Sequence, residues 1–380
     1  MNATSDNQLE IKEVKSWNQL RTFIHLPFVI HKNHTLWVPP LIAGEWEYFD
    51  SKKNTAFTKN ETLLLLAYRN GKPTGRIMGI INHQRNARLF QHTACFCNLE
   101  CYEDPAVAKA LLRFLEDWAL KKGMNKLAGP MGFSDQEPRG YLIKGFDLES
   151  GISTYYNYEY LPALLEQSGY TKEVDYVVYQ IDLTKLRPDL YLRVIERLQT
   201  KEKFQFQNFK KKKELTSLRK PVLQLMNDSF ADQYEYDSLA ENEFQRLVKQ
   251  FKAYIDPRFV IIARKDNDLV GFLVGMPNLN YGLRKAKGRL FPFGFWHLLR
   301  APFKTTQFDL LLGGIRSGYR GMGIDACGML AIIEEARDAG YTLMDSHQEL
   351  ETNMTVRKEM ERLGGELKKK YRIYKKQLFN

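Results

Sequence analysis

Three small residues recur in one order at two distant places in the chain. Ala67, Gly75 and Gly79 reappear as Ala263, Gly271 and Gly275, each 196 positions further on. They sit in two similar stretches, 65–79 and 261–275. Each stretch is an apolar run, a turn rich in Asn, Asp, Gly or Lys, and a second run that reads as strand, the pattern of a β-hairpin. The elements after each hairpin also match. After the first come a strand over 95–99 and a helix opened by Asp104-Pro105, which runs through Leu111, Leu112, Leu115 and Trp118 and stops at Gly123. A strand over 126–133, a helix over 161–169 and a β-like run over 176–183 complete that series. After the second hairpin come a strand at 310–312, a glycine turn, and a helix through Leu330, Ile333 and Ala336 that stops at Gly340. A strand over 341–346, a helix over 354–364 and a β-like run over 371–376 complete the second series. The chain is therefore expected to be α/β (α+β), with two tandem copies of one unit. Each copy is a mixed, mostly antiparallel twisted sheet flanked by helices. Its 380 residues suit two domains, 1–190 and 191–380.

Composition narrows the class. The longest apolar run, near 63–67, falls far short of the roughly 18–20 residues that span a bilayer. The first seven residues are polar, with no basic region ahead of an apolar stretch, so a cytoplasmic protein is expected. Cys95, Cys97 and Cys101 are close enough to invite a zinc reading. Their alternation with Phe96 and Asn98 reads instead as strand, and no fourth ligand follows at metal spacing. Cys327 reads as a small packing residue, and no metal is expected. The formal charge of +11 gathers in 201–213, 284–304 and 368–376. No nucleic-acid-binding signature accompanies it, so nucleic acid is not an expected partner. The segment from Arg289 to Lys304 places Phe291, Phe293, Phe295 and Trp296 among Arg289, Arg300 and Lys304. It suits peripheral contact with an anionic membrane surface, the wall of an acyl-chain tunnel, or a core-packing excursion.

The two halves differ at the turn before their first long helix. The second half has Gly318-Tyr319-Arg320-Gly321-Met322-Gly323-Ile324-Asp325-Ala326, where the first has Glu103-Asp104-Pro105. Glycines let a backbone approach an anion, and the N–H groups at a helix start lack intrahelical partners. The turn therefore reads as a pyrophosphate cradle. No Gly-Lys-Ser/Thr comes after it, so it is not a P-loop. In the first half, carboxylates occupy the same place, so only the second half is expected to hold a phosphorylated ligand.

The stretch Arg320-Gly321-Met322-Gly323-Ile324-Asp325 resembles the Arg-x-x-Gly-x-Gly/Ala acyl-CoA loop of the GNAT acyltransferases, with Asp325 where that family has Gly or Ala. Further stretches are similar to the bacterial ceramide synthase-like tandem GNAT acyltransferases. They are residues 23–28, Trp37-Val38-Pro39-Pro40-Leu41, Gly129-Pro130-Met131, Gly145-Phe146-Asp147, Leu290-Phe291-Pro292-Phe293-Gly294 and Tyr371-Arg372-Ile373-Tyr374. The resemblance covers nearly the whole chain. It implies transfer of an acyl group from acyl-CoA, acetyl or longer, to an amine, with a sphingoid or other lipid amine as acceptor. Where members carry Ser-Trp-Ile-Leu-Glu-x-Asn, this chain has His347-Gln348-Glu349-Leu350-Glu351-Thr352-Asn353.

The resemblance also implies site residues. Gly313 and Ile315 lie where a backbone N–H polarises the thioester carbonyl. Arg320, Gly321, Met322, Gly323, Ile324, Asp325 and Ala326 hold the pyrophosphate, and Asn353 touches the cofactor arm. Asn353 is also a natural N-cap. Glu351 is the expected general base, with His347 and Glu349 as rivals on one face of a strand. The family's usual tyrosine acid falls at Met360, so Tyr371 or Tyr374 is expected to supply the proton. Two other readings stay open. One is a Fem-like transferase using aminoacyl-tRNA. The other is an inactive tandem GNAT that binds acyl-CoA or lipid.

Overall fold

The structure is a computed structural model that describes residues 8–134, 136–186, 196–231, 234, 236, 238–252 and 254–379. The expected boundary at 190/191 lies outside them. The chain forms two compact units that are not successive halves. One comprises Met1–Val177, Asn280–Arg300 and Lys369–Asn380; the other comprises Val178–Leu279 and Ala301–Lys368. The first unit thus takes an insertion from the middle of the chain and most of the last strand.

The first unit begins with β1 (Leu9–Glu13), β2 (Glu61–Arg69), β3 (Lys72–Ile81), β4 (Thr93–Cys101), β5 (Lys126–Gly129), β6 (Tyr141–Lys144) and β7 (Thr171–Asp182), whose end passes into the second unit. The second continues with β8 (Gln205–Gln207), β9 (Val260–Lys265), β10 (Asp268–Pro277), β11 (Gln307–Ile315), β12 (Leu343–Asp345) and β13 (Glu349–Leu350). The last strand, β14 (Glu366–Gln377), starts in the second unit and ends in the first.

Within the first unit the strand order is β1-β2-β3-β4-β5-β14-β7, with β6 against β14. Only the β4–β5 pairing among β1 to β5 is parallel. Within the second the order is β7-β12-β11-β10-β9-β8, with β11–β12 the parallel pair. Each unit is therefore a mixed, mostly antiparallel sheet flanked by helices, as the duplicated sequence pattern implies.

The repeated glycines have one physical cause in both units. A Cβ on Gly75 would come within 2.9 Å of Val107, and one on Gly79 would overlap Leu115; both partners lie on the helix Pro105–Lys121. A Cβ on Gly271 would come within 3.3 Å of Ile324, and one on Gly275 within 3.1 Å of Ile332, both on the helix Ile324–Asp338. Glycine lets each helix lie close on its sheet. Leu65, Ile77, Phe96, Leu111 and Leu115 are buried together in the first unit, and Val270, Ile324 and Cys327 in the second. None of the four cysteines is in a disulfide, and all are buried.

The two glycines facing the helix Ile324–Asp338 should differ in tolerance. Gly275→Ala pushes its methyl into the ring of Phe308, which is fully buried against Phe259 and Tyr341 and cannot swing aside. Overpacking of this kind costs about 1–3 kcal/mol, so thermal denaturation should show a clear fall in Tm. Gly271→Ala meets only ordinary or slightly tight contacts, and its Tm should fall less.

Candidate functional site

In the second unit, β11 parts from β12 early. Their parallel pairing has three rungs, Gln307↔Leu343, Phe308↔Met344 and Asp309↔Asp345. Beyond Asp309, β11 continues to Ile315 with β10 alone, Leu273 lying opposite Gly313 and Gly271 opposite Ile315. The Arg316 N–H donates to the Val270 carbonyl at 2.9 Å. Antiparallel ladders alternate in direction, so the N–H groups of Leu312 and Gly314 face β10. Those of Gly313 and Ile315 face the gap left by β12.

The last rung is polar and deeply buried. Asp309 and Asp345 are almost inaccessible. The Gln307 side-chain amide donates to Asp309 at 2.7 Å and to Asp345 at 3.1 Å. Asn278 donates to Asp309 at 2.8 Å, and Gln180 to Asp345 at 2.9 Å. These residues were not among the sequence candidates. The available signal was a carboxylate inside each apolar strand, in Phe308-Asp309-Leu310 and Met344-Asp345.

Beyond β11 the chain makes a short turn at Ser317–Tyr319 and reaches the helix Ile324–Asp338. Gly321 and Gly323 both have left-handed backbones, with φ of 75° and 95°, which a side chain would strain. Arg320 ties the loop down, its guanidinium donating to the Ser229 carbonyl at 2.7 Å. Arg197 donates to the Met322 carbonyl at 2.7 Å. The N–H groups of Gly321, Met322, Gly323, Ile324 and Asp325 donate to no acceptor among the described residues. A row of such donors at the positive end of a helix fits a diphosphate. Ala326 differs, since its N–H donates to the Asp325 carboxylate at 3.0 Å.

Two residues that sequence reasoning missed border this loop. Ser229 lies in the last turn of the helix Arg219–Phe230, and its buried hydroxyl has no hydrogen-bond partner among the described residues. It lies where a Cβ on Gly314 would come within 2.9 Å of it. Glu359, on the helix Met354–Arg362, packs near Asp325. Burial first, then the nearby charge of Asp325, push the Glu359 carboxyl up to about 9. Glu349 adds to the effect and Arg362 opposes it. Glu359 therefore keeps its proton at neutral pH. Nothing in the sequence marks this pair, whose members are far apart along the chain.

Among the remaining sequence candidates, Asn353 is the N-cap of the helix Met354–Arg362, its side chain accepting from the Val356 N–H at 3.4 Å, and its amide reaches Glu349 at 3.4 Å. His347, Glu349 and Glu351 do not share one regular strand. The ladder breaks at 346–348, and Glu351 lies in a turn. The cause is Ser346, whose hydroxyl accepts from the Tyr179 N–H at 2.9 Å and donates to the His347 carbonyl at 2.9 Å. Strand alternation therefore does not align these three side chains. The Glu351 carbonyl accepts from Arg357 at 2.7 Å, which fixes the turn. Met360 is buried. Tyr371 belongs to the first unit, where it is fully buried with its hydroxyl 3.3 Å from that of Thr154.

The equivalent helix start in the first unit is already filled. The Asp104 side chain accepts from the N–H groups of Ala106 at 3.1 Å and Val107 at 3.2 Å, and it pairs with Arg69 at 2.7 Å. A carboxylate of the chain itself takes the anion's place there.

Comparison with known proteins agrees with this architecture. No protein-family model matches the chain. The chain is 28% identical over 389 residues to the bacterial ceramide synthase of Caulobacter vibrioides (strain NA1000 / CB15N), covering 99% of both chains. It is 28% identical to protein YghO of Escherichia coli (strain K12), over 95% of this chain and 93% of that one. Among solved structures it resembles a tandem GNAT protein from the clavulanic acid biosynthesis pathway, with a TM-score of 0.56 at 12% identity over 98% of this chain and 99% of that one. The fold is that of tandem GNAT proteins, and the likeness to the bacterial ceramide synthase extends along nearly the whole chain.

The Asp325–Glu359 pair gives a testable pH dependence. Unfolded, Glu359 loses its proton near its ordinary value of 4.5; folded, it keeps it to about 9. Across that window the folded state binds the extra proton. The resulting stabilisation is full below about 4.5 and is lost as pH rises through about 9. Glu359→Gln removes the titration. In thermal melts, Tm should fall less steeply with rising pH in this variant than in the wild type.

Proposed function

We propose that the protein is an acyl-CoA-dependent N-acyltransferase. The observation that carries this reading is the row of unpaired N–H groups at 321–325, directly downstream of the Gly313 and Ile315 N–H groups that face the gap beside β11. In this proposal the donor's diphosphate is held by the loop of Arg320 to Ala326, with Asn353 beside the pantetheine arm. The thioester carbonyl accepts from Gly313 or Ile315, a pre-positioned donor for the charge that develops on its oxygen. The acceptor nitrogen attacks the carbonyl carbon, a C–N bond forms, the C–S bond breaks and the thiolate leaves. Glu351 or His347 takes the proton released by the nitrogen.

The relative named bacterial ceramide synthase supports a long-chain lipid amine as acceptor. Ceramide is an amide of such a base. Among the described residues no helix is long and apolar enough to cross a membrane.

A second reading has one observation in its favour. The Asp325–Glu359 pair sits at the helix start that would receive the diphosphate, and Met360 offers no proton. A protein that binds acyl-CoA without turnover would tolerate both.

One set of assays tests the proposal. Acetyl-CoA or a long-chain acyl-CoA should raise Tm, and thiol release should require an amine from a panel that includes long-chain bases. Gly323→Val places a β-branched residue in a left-handed conformation, so CoA-ester affinity should fall about tenfold or more. Arg320→Ala should weaken it as well by freeing the loop from Ser229. A thermal shift without thiol release on any amine would select the second reading. No shift, with both variants matching the wild type, would remove both.

A further inference from the structure

We infer that residues 285–300 of the first unit form a docking surface for an anionic phospholipid bilayer. Phe291 is 79% exposed, Phe293 68%, Trp296 49% and Leu299 57%, four large apolar side chains within nine positions. They do not belong to a loose loop. Upstream, the Asn280 side chain donates to the Ser150 carbonyl at 2.7 Å, and Arg284 pairs with Glu149. The Gly288 carbonyl accepts from the Ile42 N–H at 2.8 Å, and Gly288 is packed so closely that a Cβ would come within 2.8 Å of the Pro40 carbonyl. In the helix Gly294–Arg300, Gly294 and Leu298 turn inward and are buried. The aromatics are thus held outward by a fixed base.

Charge selects the occupant. Between Tyr281 and Lys304 the chain carries no Asp or Glu. Lys285, Lys287, Arg289 and Arg300 are all exposed, and the Arg300 guanidinium lies 6.0 Å from the Trp296 ring centroid. A second copy meeting the same face about a twofold axis would bring these cations against their own counterparts. Anionic headgroups above an apolar interior supply both kinds of partner at once, negative charge for the rim and a shallow apolar layer for Phe291, Phe293, Trp296 and Leu299. This inference does not rest on the acyl-transfer reading.

Co-sedimentation of the full chain with vesicles tests it, using phosphatidylcholine alone and phosphatidylcholine mixed with phosphatidylglycerol. The wild type should partition at least about tenfold more strongly onto the anionic vesicles, and high salt should erase most of that preference. Phe291→Ser with Phe293→Ser should lower partitioning about tenfold or more on anionic vesicles. Lys285→Gln with Lys287→Gln and Arg289→Gln should abolish the lipid-charge preference and its salt dependence. All these side chains are exposed, so both variants should melt as the wild type does, and any thiol release from soluble CoA esters should be unchanged. Absence of binding to anionic vesicles, or equal binding by wild type and both variants, overturns the inference. So does self-association that the aromatic variant loses while no vesicle binding is seen, an outcome that assigns the surface to a second copy.

Discussion

The rung Asp309↔Asp345 is the point on which the candidate site depends. Two carboxylates side by side on adjacent strands repel each other, and here both are buried. The pairing survives because amides from Gln307, Asn278 and Gln180 supply donors to four carboxylate oxygens. A buried polar network of this kind is stabilising only when it is satisfied. It fixes where β11 and β12 meet, and no further rung is formed. The N–H groups of Gly313 and Ile315 are left facing a gap for that reason, and the same strand then delivers the chain to the loop at 320–325. Two sets of unpartnered N–H groups, at 313 and 315 and at 321–325, are thereby placed a few residues apart on one strand and its exit.

The two units show how one architecture leaves the donors of a helix start open in one copy and capped in the other. Both carry a hairpin, a third antiparallel strand and a helix laid close on the sheet over two glycines. The difference is the residue at the helix cap. Asp104 caps with its own carboxylate and takes up two N–H groups, which is a stable and self-contained helix start. Gly323 has no side chain to offer, so the helix Ile324–Asp338 keeps its donors. The second unit gives up only a few tenths of a kcal/mol of capping, since glycine is itself a tolerable N-cap, and leaves those N–H groups open to an outside acceptor.

Local features were the ones that could be read from the sequence. The hairpins, the Asp104-Pro105 start and the Asn353 cap depend on neighbours a few residues apart, and the glycine spacing reflects one repeated helix–sheet approach. The exchange of Asn280–Arg300 and Lys369–Asn380 into the first unit was not legible, because it depends on packing partners more than a hundred positions away, such as Ser150 for Asn280 and Asp175 for Arg372. The 341–346 run was legible as a strand, but not its break at Ser346. There a hydroxyl replaces ladder bonds, a competition that serine offers at any position and wins at few. The glycine turn ahead of the helix Ile324–Asp338 was legible, whereas the carboxyl of Glu359 beside it was not.

That second carboxyl changes the meaning of Asp325. Taken from the sequence, Asp325 is one negative charge placed against a phosphate site. In the structure it accepts from Ala326, sits at the positive end of the helix, and shares its surroundings with a protonated Glu359. Any anion bound by the N–H groups of 321–325 would strengthen the hold of Glu359 on that proton, because a further negative charge nearby disfavours its ionisation. By linkage, a proton on Glu359 would favour the anion to the same extent. In the proposed function, Asp325, standing where the resembled loop has a small residue, would thus couple protonation to the ligand at the loop through Glu359, a residue that only the fold brings there.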